Sequence, residues 1–151
     1  MKLAYYPGCS SEGSAIEYDL STKKTAHMLE TDLQELEDWN CCGATSAHNT
    51  NKLLAGSLPA RNLAIAEQNG MDLILAPCAA CYNRLHSTEL AARKDETLRE
   101  KIQEVIDMDF KALTSTISVL EWLDDKVGID KIKAKVTNSL KGMKAACYYG
   151  C

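Results

Sequence analysis

Apolar positions along the chain keep two rhythms. Residues 3–6, 33–37 and 72–76 are short runs of strand length, and Leu73-Ile74-Leu75 is continuous rather than alternating, as in a strand buried on both faces. Between the first two runs, Ala15, Tyr18, Thr22, Ala26 and Leu29 recur at helical spacing. Ser14 and Glu17 stand where a capping box would, which predicts a helix over about 14–30. Gly56 is placed to close a short helix, and Pro59 to open another that runs to Asn69 and stops at Gly70. Beyond Cys81 the rhythm is helical: Leu98, Ile102, Val105, Ile106 and Phe110 make one stripe, and Ile117, Leu120 and Val127 a second that ends near Gly128. Both stripes read as core. Residues 131–141 form a basic segment whose expected role is to keep a helix soluble. Strands alternating with helices predict an α/β fold, a small parallel sheet covered by helices, in effect a Rossmann-like half.

The chain has 151 residues, the size of one domain at about 150 residues each. Seventeen Lys and Arg against 21 Asp and Glu give a net charge of -4, the wrong sign for gripping phosphate backbones, so no nucleic acid partner is expected. The longest apolar stretch, residues 73–82, contains Pro77 and is far short of the about 20 residues a membrane span requires. The first residues, MKLAYYPGCSSEG, make a poor secretory signal, and a cytoplasmic location is expected. One repeat is visible: MKLAYYPGC at the start and MKAACYYGC at the end coincide at six of nine positions. This pairs Cys151 with Cys9 and divides the chain into a first unit, residues 1–142, and the opening strand of a second, residues 143–151.

Seven cysteines, at positions 9, 41, 42, 78, 81, 147 and 151, need a reason. A reducing compartment and an odd count argue against a disulfide framework. Cys147 alone reads as an inert buried thiol. Cys9 follows the first strand, Cys41 and Cys42 the second, Cys78 and Cys81 the third. In an open parallel sheet, ligands bind outside the carboxyl ends of the strands, so these five thiols should converge on one edge as a metal site. Four thiolates would satisfy zinc and leave a fifth unused, whereas an iron–sulfur cluster takes several and suits a vicinal pair. Backbone N–H groups from the loops and from a helix beginning near Ala79 would offset the charge. A rival reading makes Pro77-Cys78-Ala79-Ala80-Cys81 a thioredoxin-like dithiol, which leaves Cys9, Cys41 and Cys42 unexplained. His48 and His86 are candidate proton donors, with ordinary structural roles the plainer reading. Tyr5 and Tyr6 are candidate hydroxyl donors or simply strand core. His27 is assigned nothing.

The pattern of a single Cys, then Cys-Cys-Gly, then Cys-x-x-Cys resembles the cysteine-rich CCG domain, and the chain is similar to the B-type subunit of heterodisulfide reductase. The similarity rests on MKLAYYPGC, the Ala15-Ile16-Glu17-Tyr18-Asp19-Leu20-Ser21 segment, Asp38-Trp39-Asn40-Cys41-Cys42-Gly43-Ala44, Arg61-Asn62-Leu63-Ala64 and Ala76-Pro77-Cys78-Ala79-Ala80-Cys81-Tyr82-Asn83. The resemblance implies a non-cubane 4Fe–4S cluster held by Cys9, Cys41, Cys42, Cys78 and Cys81, and reduction of a disulfide, that of coenzyme M and coenzyme B or a related one. It also implies two partners from the same reductase, its flavin-bearing A-type subunit, and the C-type subunit with 4Fe–4S clusters. Two CCG domains face each other in the whole B-type polypeptide. The missing second half, or a second copy, would complete the site, with Cys151 a stranded ligand of the second cluster. Relatives with CCG domains also relay electrons in glycolate, lactate, glycerol-3-phosphate and succinate oxidation, which is the alternative function.

Overall fold

A computed structural model of the chain describes residues 1–44 and 46–146, with His48 described by its backbone alone. Four parallel strands, β1 (Lys2–Tyr5), β2 (Asp32–Glu35), β3 (Leu73–Leu75) and β4 (Ser115–Ile117), form one sheet in the order β2-β1-β3-β4. Lys2 pairs with Asp32, Ala4 with Ile74 and Leu73 with Ser115. Because successive strand residues point to opposite faces, β1 feeds two cores at once. Ala4 and Tyr6 pack with Ile74, Leu63, Leu85, Ile102 and Phe110 on one face. Leu3 and Tyr5 pack with Leu75, Ile117, Ala26 and Trp122 on the other. The fold is the parallel α/β sheet that the rhythm of strands and helices predicts.

The first face is covered by α3 (Lys52–Gln68), α4 (Ala79–Lys94) and α5 (Glu96–Ile106), the second by α1 (Ile16–Met28) and the segment after β4. A four-residue helix, α2 (Ala47–Thr50), precedes α3. After β4 a short turn, α6 (Val119–Glu121), widens into a π turn over Trp122–Val127, and α7 (Ile129–Lys135) follows. Among the described residues no helix is long and apolar enough to cross a membrane.

Several expectations need correction. Residue 117 does not lie on a helix: Ser115–Ile117 is a fourth strand, and Leu120 is exposed rather than core. The β-branched residues Thr114, Thr116 and Ile117 suit a pleated surface better than a helix, and the pairing of this segment with β3 outweighs the helical spacing of Ile117 and Leu120. The break predicted near Gly128 does occur, at φ +85°. Phe110 is buried but lies beyond α5, which stops where Asp107 turns left-handed, and Val105 faces solvent.

Ser14 makes no cap: Ala15 is the N-cap of α1, and Tyr18 on the expected apolar stripe is exposed. Asp19 is buried there instead, accepting from the Tyr5 hydroxyl at 2.6 Å and pairing with Lys23. The basic segment is less free than expected. Lys131 donates to the Leu29 carbonyl and Lys135 pairs with Glu30, while residues 136–146 are exposed. The predicted second unit at residues 143–151 has no regular structure over 143–146, and the rest of it, with Cys147 and Cys151, lies outside the described residues.

Neither Gly56 nor Pro59 ends a helix, since both lie inside α3. Proline lacks the N–H that would bond the carbonyl four residues earlier. That carbonyl, on Ala55, accepts instead from the Arg84 guanidinium at 2.8 Å. At Gly56 a β-carbon would stand at ordinary contact distance, 3.5 Å, from Ile102 Cδ1, so α5 packs against this turn of α3. The true start signal is Asn51, whose Oδ1 accepts from the N–H groups of Leu53 at 2.7 Å and Leu54 at 3.1 Å. Asn51→Ala is expected to cost about 1 kcal/mol of stability, seen as a lower urea midpoint with unchanged slope.

Candidate functional site

Each of the first three strands delivers cysteine where it ends. β1 runs through Tyr6-Pro7-Gly8 into a single 3-10 turn, Cys9–Glu12, which carries Cys9. The chain after β2 carries Cys41 and Cys42, and Cys78 is the N-cap of α4, with Cys81 in its first turn. The five thiols meet at the carboxyl edge of the sheet. Cys42 Sγ lies 3.3 Å from Cys81 Sγ, Cys78 stands beside Cys81, and Cys9 beside Cys41. All five are free thiols, Cys42 and Cys81 buried, Cys78 half-buried, Cys9 and Cys41 exposed. The vicinal pair therefore splits, with Cys41 turned outward to Cys9 and Cys42 inward to Cys81. Among the described residues, no three His, Cys, Asp or Glu side chains enclose a point that would hold a single ion.

The protons of this group are unevenly held. A hydrogen bond from Cys81 is the main cause that brings the Cys78 thiol down to about 5, helped by the N–H groups of Cys81 and Ala80 at the start of α4 and by the Ser10 hydroxyl. Cys81 likewise lowers Cys42 to about 6, with the Ala44 N–H in support. Cys81, whose single S–H lies between the two, is pushed well up. Cys9 is raised by burial and then by the neighbouring charge of Cys41. At neutral pH the buried part of the group thus holds Cys42 and Cys78 as thiolates on either side of the Cys81 thiol.

Backbone approaches this sulfur closely. Gly8 sits at φ +73°, ψ 160°, a region open almost only to glycine, and a β-carbon there would lie 2.8 Å from Cys81 Sγ. Gly43, also at φ +73°, places its N–H 3.4 Å from Cys41 Sγ, and a β-carbon on it would meet Ala47 and Leu58 at 2.8 Å. Tyr6 lies among the thiols, its hydroxyl pushed up by burial and then by the charges of Cys81, Cys42, Cys41 and Cys9, and Trp39 packs on it edge to face at 5.5 Å. An all-sulfur donor set, two of its members already thiolate, lined by N–H groups and closed on its inner side by aromatic rings, fits a soft-metal or iron–sulfur group.

The other candidates fall elsewhere. The Tyr5 hydroxyl is engaged by Asp19 on the opposite face of the sheet, and the Tyr6 hydroxyl donates to the Asn40 carbonyl at 2.8 Å, so neither is directed at a sulfur. His86 stacks on Tyr82 and bonds Glu89 at 3.1 Å, two turns along α4 from Cys78. The His48 side chain lies outside the described residues, and His27 is exposed on α1. Sequence reasoning missed Ser10 and the hydrogen-bonded loop around Asn40. A signal for the second was present: an asparagine at position 62, in the middle of the most apolar helix, where that residue type is disfavoured unless its amide has work to do.

A family described as cysteine-rich domain, CCG, matches residues 3–86. The chain is 33% identical, over 99% of its length, to the 8-methylmenaquinol:fumarate reductase membrane anchor subunit of Wolinella succinogenes, covering 52% of that protein. It is 27% identical over 99% of its length to the B-type subunit of the ferredoxin/F(420)H(2)-dependent CoB-CoM heterodisulfide reductase of Methanosarcina acetivorans, of which it covers 51%. To a protein of Archaeoglobus profundus, named as similar to the same B-type subunit of heterodisulfide reductase, it is 24% identical over 100% of its length and 52% of that protein's. The chain spans about half the length of the curated relatives it matches.

Proposed function

Because the chain belongs to the cysteine-rich CCG domain family, we propose that Cys9, Cys41, Cys42, Cys78 and Cys81 hold a non-cubane 4Fe–4S cluster and that the chain is an iron–sulfur unit of a reductase complex. The supporting observation is the meeting of five thiols from three strand-to-helix junctions at one sheet edge. When bound, such a cluster supplies one-electron chemistry and iron able to take a sulfur ligand. The chain does the rest. Cys9 and Cys81, both pushed up, give up protons on binding, whereas Cys42 and Cys78 are already held low. The N–H groups of Gly43, Ala80 and Cys81 offset the thiolate charge. Tyr6 and Trp39 keep water from the inner side, and the exposed side at Cys9 and Cys41 is where substrate or an electron partner approaches.

In this reading the substrate is a small-molecule disulfide, the heterodisulfide of coenzyme M and coenzyme B or a related one. The protein works in the cytoplasm with the flavin-bearing A-type and the 4Fe–4S C-type subunits of a heterodisulfide reductase, and with a second CCG half or a second copy that completes the site. Cys151 is then a ligand of the second cluster. A second reading, electron relay without a disulfide site, is favoured by the Wolinella succinogenes relative, whose name places it in a fumarate reductase. A thioredoxin-like dithiol at Cys78 and Cys81 leaves no role for the contact of Cys81 with Cys42.

The test is iron and acid-labile sulfide on anaerobically purified chain, with electron paramagnetic resonance of the oxidised sample. About four of each per chain is expected. Zinc, or no metal with a titratable dithiol, rejects the proposal. Adding a small-molecule disulfide to the loaded chain, together with the half or copy that completes the site, separates the two readings: a changed signal supports the reductase, an unchanged one the relay.

A further inference from the structure

The splitting of the vicinal pair, one thiol outward and one inward, needs the backbone before Cys41 to be held in one orientation. We propose that Asn62 is the positioning residue that does this, by clamping the main chain of Asn40.

Asn62 is fully buried in α3, and both ends of its carboxamide are engaged. Its Oδ1 accepts from the Asn40 N–H at 2.9 Å, while its Nδ2 donates to the Asn40 carbonyl at 2.9 Å and to the Leu58 carbonyl at 3.3 Å. One side chain thus reads both main-chain groups of a single loop residue, which only a group with a donor and an acceptor side by side can do. The Tyr6 hydroxyl bonds the same Asn40 carbonyl from the end of β1. The Asn40 side chain extends the clamp forward. Its Nδ2 donates to the Cys41 carbonyl at 2.9 Å and the Leu58 carbonyl at 3.0 Å, and its Oδ1 accepts from Arg61, which also pairs with Asp38.

The N–H and C=O of Asn40 and the C=O of Cys41 are therefore fixed in succession. With the peptide planes on both sides of Cys41 held, its Cα–Cβ bond is aimed to the side of Cys9, and the next residue's to the side of Cys81. Before it the chain is more exposed: Glu37 and Asp38 face solvent, Asp38 takes a left-handed φ of +55°, and Arg61 holds the Asp38 carbonyl at 2.6 Å from the same helix as Asn62. The proposal rests on the reading of these thiols as cluster ligands, but its geometry is separately testable.

Asn62→Leu keeps the branched shape and number of heavy atoms and removes both halves of the clamp. In the metal-free chain, exchange of the Asn40 amide and alkylation of Cys42 by iodoacetamide are each expected to rise about tenfold or more, as fits loss of a set of buried hydrogen bonds. Tyr6→Phe, which removes one bond only, should move both in the same direction by less, and it serves if the leucine variant does not fold. Arg93→Ala is the control. It frees the carbonyls of Ala112, Leu113 and Thr114 at the amino end of β4, far from the thiols, and should leave Asn40 and Cys42 unchanged. Unchanged exchange and alkylation in Asn62→Leu, or equal rises in Arg93→Ala, overturn the proposal. In the loaded protein, Asn62→Leu should shift the resonance of the oxidised cluster or lower its occupancy, and Arg93→Ala should do neither. If the wild-type chain takes up no iron, the iron–sulfur reading fails while the exchange and alkylation results still decide the clamp.

Discussion

Cys42→Ala and Cys78→Ala are each expected to purify colourless, with iron and sulfide falling from about four per chain to near zero, while Cys147→Ala keeps the wild-type content. Cys42 and Cys78 are the two thiols held lowest, at about 6 and 5, and both contact Cys81. Losing either removes a thiolate already prepared for a metal and leaves Cys81 with one neighbour instead of two. The fold should survive, since each change deletes one sulfur at the rim of the sheet and opens only a small space. Far-UV circular dichroism matching the wild type, together with lost iron, is the expected pair of results. Equal iron in all three variants would defeat the assignment. A thioredoxin-like site predicts a different pattern, in which Cys9 and Cys41 are dispensable and iron is irrelevant to activity.

Gly8→Ala is the second large expected effect, and it acts without touching a thiol. The backbone at Gly8, φ +73° and ψ 160°, costs an L-residue about 1–3 kcal/mol. The new methyl would also stand 2.8 Å from Cys81 Sγ and 3.6 Å from the Tyr6 ring. Tyr6 is buried in the core, so the sulfur must give way, and Cys81 then loses its place beside Cys42. The expected outcome is a lower denaturation midpoint, by that amount, and iron content reduced at least as far as in Cys42→Ala. Gly70→Ala separates the two causes. Gly70 also has a positive φ, +65°, but nothing lies within 4 Å of a β-carbon there, so stability should fall and iron should stay.

Much of this was legible in the chain itself, because the strongest signals were local. Leu73-Ile74-Leu75 is a strand by continuity, Gly70 and Gly128 mark ends by their backbone, and a cysteine after each of three strands can only arrive at one edge of a parallel sheet. What failed depended on partners distant in sequence. Pro59 reads as a helix start until Arg84 is found holding the carbonyl it leaves open. The fourth strand is three residues long and is secured from outside. Glu67 accepts the N–H groups of Lys111 and Leu113, and Arg93 holds the Ala112 carbonyl, which together aim the chain into β4. The role of Asn62 was hidden for the same reason: its partner is Asn40, on another segment.

The strand order also sets a sequence of events in time. β1 lies between β2 and β3, so Ala4 must find Ile74 across the whole of α1, β2 and α3 before the edge carrying the thiols exists. Parallel pairings of this range close large loops before any contact rewards them, and they form slowly. Until then only the neighbours Cys41–Cys42 and Cys78–Cys81 are near one another, enough to capture stray metal in twos but not to assemble the five-thiol group. In the cluster-holding reading, closure of the sheet is thus what gathers the ligands, and metal or oxidant met before it meets only the near pairs.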